Sequence, residues 1–268
     1  MKKILVPTDF SEHAENALSF AIGIANRFGS RITLFHTYKV RSTAGMLVSI
    51  DRYIKKDADG DLTSILAKAE TQLMNGASIE GVVVKADAIE AIANKADKQG
   101  YDLIIMGTQG ASGLAEVFMG STTNGVIRQS GTPVLAIPEG CQFKAFRSIV
   151  LAMDSKEIES DGILNTLVSM VKAYEARLSV YHKVQGADDQ GIDAALSYWL
   201  EGVEHANHFD FSEENVNDSI TSFLEEYGGD LLCMIRHKRG FLASLFHQSV
   251  TRKEAFTSKV PLLILQDK

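Results

Sequence analysis

Four apolar segments of the first half of this 268-residue chain recur, in the same order and at similar spacing, in the second half. KKILVPTD at 2–9 is echoed by RSIVLAMD at 147–154, setting Asp154 opposite Asp9, and RITLFH at 31–36 by RLSVYH at 177–182, setting His182 opposite His36. DLIIM at 102–106 returns as DLLCM at 230–234, and TPVLAI at 132–137 as VPLLIL at 260–265. One such match carries little weight, but four in a shared order point to an internal duplication and hence to two units of one architecture. The length agrees, since it divides into two domains of about 130 residues, each able to bury a core. Pro138, Glu139 and Gly140 break the last strand of the first unit, so the expected domains are 1–142 and 143–268.

Within the first unit, strands and helices alternate. KILVPT at 3–8 reads as a strand ending at Asp9, and Ser11 can cap a helix whose first turn carries Glu12 and Glu15, favourable at the positive end of a helix dipole. Ala14, Ala17, Leu18, Ala21, Ala25 and Phe28 mark its inward face, and Gly29 stops it. After the strand at 31–36, residues 39–60 show no clean period and read as an irregular or partly helical excursion. A helix over 62–73, a strand around 81–84, a helix over 88–98, the run 103–106, a helix ending at Gln129 and a strand at 133–137 complete the unit. Leu103–Met106 is apolar without alternation, as a strand covered on both faces must be. The expected fold is therefore α/β, with two tandem open parallel five-stranded sheets, helices on both faces and right-handed crossovers.

The chemistry concentrates after the fourth strand. Gly107, Gly110 and Gly120 follow one another with the spacing G-x2-G-x9-G, and Ser121 and Thr122 come directly behind. Neither a P-loop, which needs Gly-Lys-Ser/Thr, nor the G-x-G-x-x-G of a dinucleotide-binding first turn fits this pattern. Glycines let a ligand approach the main chain, and Ser121 or Thr122 can cap a helix whose N-terminal amides attract anions, phosphate above all. Turn formation and helix packing account for the same glycines, and a local cap accounts for Asp9.

VPTD at the end of the first strand, LFH in the second, MG-x2-G-x9-GST after the fourth and TPVLAIP in the fifth together resemble the universal stress protein family in its tandem form. The likeness runs through the first half and more loosely through the second. The glycine spacing is similar to that of the nucleotide-binding branch of the family. The resemblance implies ATP as ligand, with Mg²⁺ accompanying it on phosphate oxygens. It further implies that Pro7, Thr8 and Asp9 lie against the nucleoside, that Thr37 lies near adenine, and that Met106 and Gly107 border the site. Gly110, Gly120, Ser121 and Thr122 would then hold the phosphates. Family members pair through their fifth strands, so 133–137 and 261–265 are expected to meet across an internal pseudo-twofold, and two chains can associate further. The implied role is a nucleotide-responsive stress or regulatory one. An interaction module that binds no nucleotide and a slow ATPase or phosphotransferase using Ser121 and Thr122 are the alternatives, and no general base beside the phosphates favours the latter.

The second half departs from the motif. Aligned without a gap, Gly107 falls opposite Ile235, Gly110 opposite Lys238 and Gly120 opposite Gln248, with only Ser249 matching Ser121. Bulky side chains there should crowd phosphates, so no ATP is expected in the same manner. Arg236, His237, Lys238 and Arg239 can attract an anion or form a solvated loop. His205, His208 and Asp210 have donor chemistry for a metal but no recognised spacing, and Trp199 with Ala195 and Leu200 reads as the buried face of a helix. Residues 43–57, with no equally long counterpart, read as a flap over the nucleotide or a docking surface.

Composition excludes several classes. A hydrophobic share of 45% and a charged share of 23% are those of a globular protein. A net charge of -7 argues against general nucleic-acid binding. No apolar run approaches the ~20 residues of a membrane span, and the N-terminus turns acidic too soon for a secretory signal, so a cytoplasmic protein with two unpaired thiols, Cys141 and Cys233, is expected.

Overall fold

The computed structural model describes residues 1–39, 47–109, 119–153, 162–184, 198–236 and 259–267. Its contacts divide the described chain into two compact units that change over between Phe143 and Lys144.

The first unit runs β1 (Lys3–Thr8), α1 (Glu12–Phe28), β2 (Arg31–Tyr38), α2 (Leu47–Glu70), β3 (Ser78–Lys85), α3 (Ala88–Gln99), β4 (Leu103–Gly107), α4 (Ser121–Gln129) and β5 (Val134–Ile137). Its strands lie in the order β3-β2-β1-β4-β5, with parallel ladders throughout. The chain moves outward from β1 through β2 to β3, then crosses back to β4 and β5. With right-handed crossovers, α1 and α2 cover one face and α3 and α4 the other. The strands are accordingly apolar without alternation, and Ile4, Leu5, Val6, Leu103, Ile104 and Ile105 are fully buried.

Local signals explain the helix ends. Ser11 Oγ accepts from the Ala14 amide at 3.3 Å, and Gly29 closes α1 in the left-handed conformation at φ 64°. Asp87 caps α3 by accepting from the Ile89 and Glu90 amides at 3.1 and 3.4 Å. Of the two readings of 39–60, the partly helical one holds: α2 begins at Leu47 and takes in the expected helix from 62, ending at Glu70 rather than 73, and β3 begins at Ser78 rather than 81. Ala58, Leu62 and Ala69 form a buried stripe that passes Gly60, and Leu62 and Leu66 close onto Gly81 of β3, where an added Cβ would stand 2.5 Å from Leu62. Packing thus overrides the loss of about 1 kcal/mol that an interior glycine brings to a helix. Of the proposed flap, 43–46 lie outside the described residues and 47–57 are helical.

The second unit repeats the frame with β6 (Ser148–Met153), α5 (Asn165–Tyr174), β7 (Arg177–Lys183), β8 (His205–Asp210), α6 (Val216–Tyr227), β9 (Leu231–Arg236) and β10 (Leu262–Gln266). Its order is β10-β9-β6-β7-β8, again parallel. One side-chain clip recurs in both units. Asp102, just before β4, accepts from the amides of Lys2 and Lys3 at 2.5 and 2.8 Å; Asp230, just before β9, accepts from those of Arg147 and Ser148 at 2.8 and 3.1 Å. Among the described residues no helix is long and apolar enough to cross a membrane.

The second unit also buries a polar network with no counterpart among the described residues of the first. Lys183, buried at the end of β7, donates through Nζ to Asp210 Oδ2, the Ser212 carbonyl and Ser212 Oγ at 2.8 Å each, and to Ser219 Oγ of α6 at 3.0 Å. Tyr181 Oη donates to the same Asp210 oxygen at 2.5 Å. Burial opposes ionisation of Asp210, but the bonds from Lys183, Tyr181 and Ser212 outweigh it and hold the carboxyl below its ordinary range. A carboxylate depressed in the folded state contributes stability above its unfolded pKa, about 3.9, and loses that contribution as pH falls toward the folded value. Asp210→Ala should therefore destabilise the second unit by about 3–5 kcal/mol at neutral pH, because it strands a buried ammonium. Denaturant unfolding of wild type and variant at pH 7 and pH 3 checks this, the difference between them narrowing in acid.

Candidate functional site

One cleft at the carboxyl ends of the first unit's strands gathers most of the residues singled out by motif. Pro7, Thr8, Asp9, Thr37, Met106, Gly107, Gly120, Ser121 and Thr122 all line it, around about 780 Å³ of free space counted out to its open mouth. Gly110 lies outside the described residues. The cleft opens beside β1, where the strand order reverses direction, the point at which doubly wound sheets hold ligands. Ala14, Phe35, Ala88, Ile92, Gln109 and Thr123 complete the lining and were not foreseen. Ala88 and Ile92 stand one turn apart on α3 and Phe35 belongs to the LFH segment, so helical spacing could have found the former; nothing in sequence singles out Gln109.

The loop after β4 is pinned at its stem: the Gly120 amide donates to the Thr108 carbonyl at 2.5 Å, and Thr123 Oγ1 donates to the Gly107 carbonyl at 2.8 Å. These two bonds set the start of α4 against the end of β4. Neither Ser121 nor Thr122 caps the helix, contrary to expectation. Gly120 is the N-cap, at φ -57° and ψ 156°, with no side-chain cap bond, so Ser121 and Thr122 are the first helical residues, and both line the cleft. By helix geometry the amides of that first turn have no intrahelical acceptor. Gly120 therefore has an ordinary negative φ, and its conformation does not itself demand glycine. Gly107 is favoured by close packing instead. An added Cβ would stand 3.0 Å from the His13 carbonyl oxygen of α1 and 3.1 Å from that of Gln109, so this glycine lets the strand end and α1 approach each other.

On the opposite side of the cleft, Asp9 is exposed and held by the turn that follows β1. Its Oδ1 accepts from Ser11 N at 3.1 Å and Ser11 Oγ at 2.5 Å, so it closes the turn that leads to the N-cap Ser11 while lining the cleft. At the rim, Lys39 pairs with Asp87, next to Ala88, and its hydrogen bond is the main cause that keeps the Asp87 carboxyl below its ordinary range. Among the described lining residues Asp9 is the one ionisable side chain; the rest offer hydroxyls, amides, methyl groups and one aromatic ring. A concave, mostly apolar space lined by one carboxylate and by the uncapped first turn of a helix suits a ligand that carries both hydrogen-bond donors and negative charge.

The same frame in the second unit is filled differently. Lys183 stands opposite Thr37 in the repeated strand, and its ammonium crosses to Ser219 in the first turns of α6, where the first unit has Ala91 between the lining residues Ala88 and Ile92. Ile235, opposite Gly107, is buried. Arg236 donates through Nη1 to Gln266 Oε1 at 3.2 Å, while His237, Lys238, Arg239, Gln248, Ser249 and Asp154 lie outside the described residues. His205, His208 and Asp210 all lie on β8 without converging: His208 packs edgewise on Phe223 with ring centroids 5.0 Å apart, and Asp210 is engaged by Lys183 and Tyr181. Leu200 is buried beside the half-buried Trp199, and Ala195 lies outside the described residues.

Comparison with known proteins identifies the family and the fold. A universal stress protein of Methanocaldococcus jannaschii, MJ0577, is 30% identical over 155 residues, covering 51% of this chain and 94% of its own length. The universal stress protein Slr1230 of Synechocystis is 23% identical over 289 residues and spans 98% of this chain and 99% of itself, as a tandem relative must. The crystal structure of a universal stress protein from Archaeoglobus fulgidus covers 99% of this chain and 98% of its own with a TM-score of 0.77; at 19% identity it supports the fold. The model of the universal stress protein family matches residues 1–138, the unit that carries the cleft, and the chain belongs to that family.

Proposed function

We propose that the first unit binds an adenine nucleotide, ATP, and that the protein is a nucleotide-responsive stress or regulatory protein of the cytoplasm rather than a fast enzyme. The observation that carries this reading is the convergence of Asp9, Thr37, Gly107, Gly120, Ser121 and Thr122, from separate stretches of the chain, on one strand-end cleft. The residues present fit the ligand. Uncapped amides and hydroxyls at the start of α4 suit phosphate oxygens. The Asp9 carboxylate would be repelled by phosphates and instead suits the hydroxyl donors of a nucleoside, while Phe35, Thr37, Ala88 and Ile92 offer a largely apolar wall to a base. Mg²⁺ would arrive with the nucleotide, held mainly by phosphate oxygens.

The second unit is read as a degenerate copy that takes no ATP in the same manner, on the strength of Lys183 and Ile235. The family resemblance also supports pairing of strands 133–137 and 261–265 within the chain, and association of two chains. Hydrolysis draws little support, because Asp9, the one ionisable group among the described lining residues, belongs to the nucleoside end.

Calorimetric titration with ATP is expected to give saturable binding that weakens roughly tenfold to a hundredfold in Asp9→Ala, which removes a charged hydrogen-bond acceptor. Gly120→Val should weaken it as well, and full affinity in that variant would place the phosphates elsewhere. No heat and no thermal shift with the wild-type protein would favour an interaction module instead. ADP release should stay at one common background in wild type, Asp9→Ala and Ser121→Ala; steady turnover lost only in the variants would establish an ATPase.

A further inference from the structure

Phe10 occupies the left-handed region at φ 65°, which a residue with a Cβ adopts only under constraint. It sits in the turn between β1 and α1, one residue beyond Asp9, and such outliers cluster where the surrounding structure over-determines them for function. Three contacts hold this one. The Phe10 amide donates to Thr8 Oγ1 at 3.0 Å. The Phe10 ring stacks on the imidazole of His36 in β2, with centroids 4.3 Å apart and planes at 29°. His36 Nδ1 stands 2.8 Å from the Thr8 carbonyl oxygen, and since a carbonyl only accepts, Nδ1 carries the proton and donates. Phe10 and His36 lie outside the cleft lining, whereas Thr8 and Asp9, which they bracket, belong to it. The turn delivers Asp9 to the cleft, and the stacked pair holds the turn.

The duplicated half separates this task from ordinary core packing. Its histidine is retained as His182, but Ser155 stands opposite Phe10. His182 stacks instead on Phe209 of the neighbouring strand β8, at 4.8 Å and 13°. The histidine thus occurs in both copies, and a ring contributed by the residue after the strand-end aspartate occurs in the copy with the open cleft.

We propose that Phe10 and His36 are positioning residues for the nucleotide, a stacked clamp that fixes the left-handed turn and so presents Asp9 to the nucleoside end. This rests on the nucleotide reading above. Without the ring, the turn relaxes, and Asp9 is delivered to the cleft for a smaller fraction of the time, which weakens binding in proportion.

Two readouts test the clamp, one of them independent of nucleotide: hydrogen exchange of amides 10–14 in the ligand-free full-length protein, and the dissociation constant for ATP. Phe10→Ala and His36→Ala should accelerate exchange in the turn and weaken ATP by about threefold to tenfold, the range for losing an aromatic pair, while Phe10→Tyr restores both. Phe10→Leu, which keeps apolar bulk but no ring, replaces Phe10→Ala should the latter misfold, and should show the same losses. Unchanged exchange in the ringless variants overturns the clamp. Accelerated exchange with unchanged ATP affinity overturns the positioning role. A wild-type protein that binds no ATP, yet shows accelerated exchange rescued by tyrosine, keeps the clamp and removes only the nucleotide reading.

Discussion

The cleft depends on how far β1 slides along β4, and that offset is held from the far end of the sheet. The Asp102 carboxylate receives the Lys2 and Lys3 amides, locking the amino end of β1 against the start of β4. With Ile4 level with Leu103, counting along both strands brings Thr8 level with Gly107. The turn carrying Asp9 and the loop stem at Gly107 and Thr108 therefore leave the sheet at the same height, where the strand order reverses and a crevice opens. In a sheet whose side chains alternate faces, a slip of one residue would turn Leu5 and Val6 the wrong way as well as displacing the cleft wall. Asp230 repeats the clip in the second unit, and burial offset by Lys144 and the Arg147 and Ser148 amides holds its carboxyl below the ordinary range. The frame was therefore kept in both units, while the cleft surface diverged between them.

The divergence follows side-chain chemistry at corresponding positions. Thr37 leaves open space between β2 and α3. Lys183 fills the matching position and requires acceptors, which Asp210, Ser212 and Ser219 supply, so a buried ammonium becomes tolerable. Gly107 permits a close approach of α1, while Ile235 places a β-branched side chain in the core. Each change gives the second unit cohesion from within, where the first unit keeps concave space and uncapped amides.

Much of this was legible in the sequence because duplication repeats order as well as identity. DLIIM and DLLCM mark β4 and β9, and their leading aspartates turn out to be the register clip itself. Gly107 is legible because the apolar run of β4 ends abruptly at a glycine, whereas Thr8, Asp9 and Thr37 are reached through the family resemblance of VPTD and LFH. What escaped depended on tertiary contacts. The α2 helix runs through Gly60 because its buried stripe packs on β3, which no local period reveals. Ser121 and Thr122 read as caps because both residue types favour that place, yet the Gly120 amide, bonded to the Thr108 carbonyl, sets the N-cap one residue earlier. The buried network of Lys183 was invisible because its partners lie across the sheet on β8 and α6.

The central claim is one open cleft and one closed copy of it, and the number of ATP molecules bound per chain at saturation tests it most directly. Equilibrium dialysis of the full chain should give one, with cross-linking from a photoreactive adenine nucleotide confined to peptides of residues 1–142. A value of two, or labelling around Lys183 and α6, contradicts the closed second unit, and a value of zero contradicts the nucleotide site in the first.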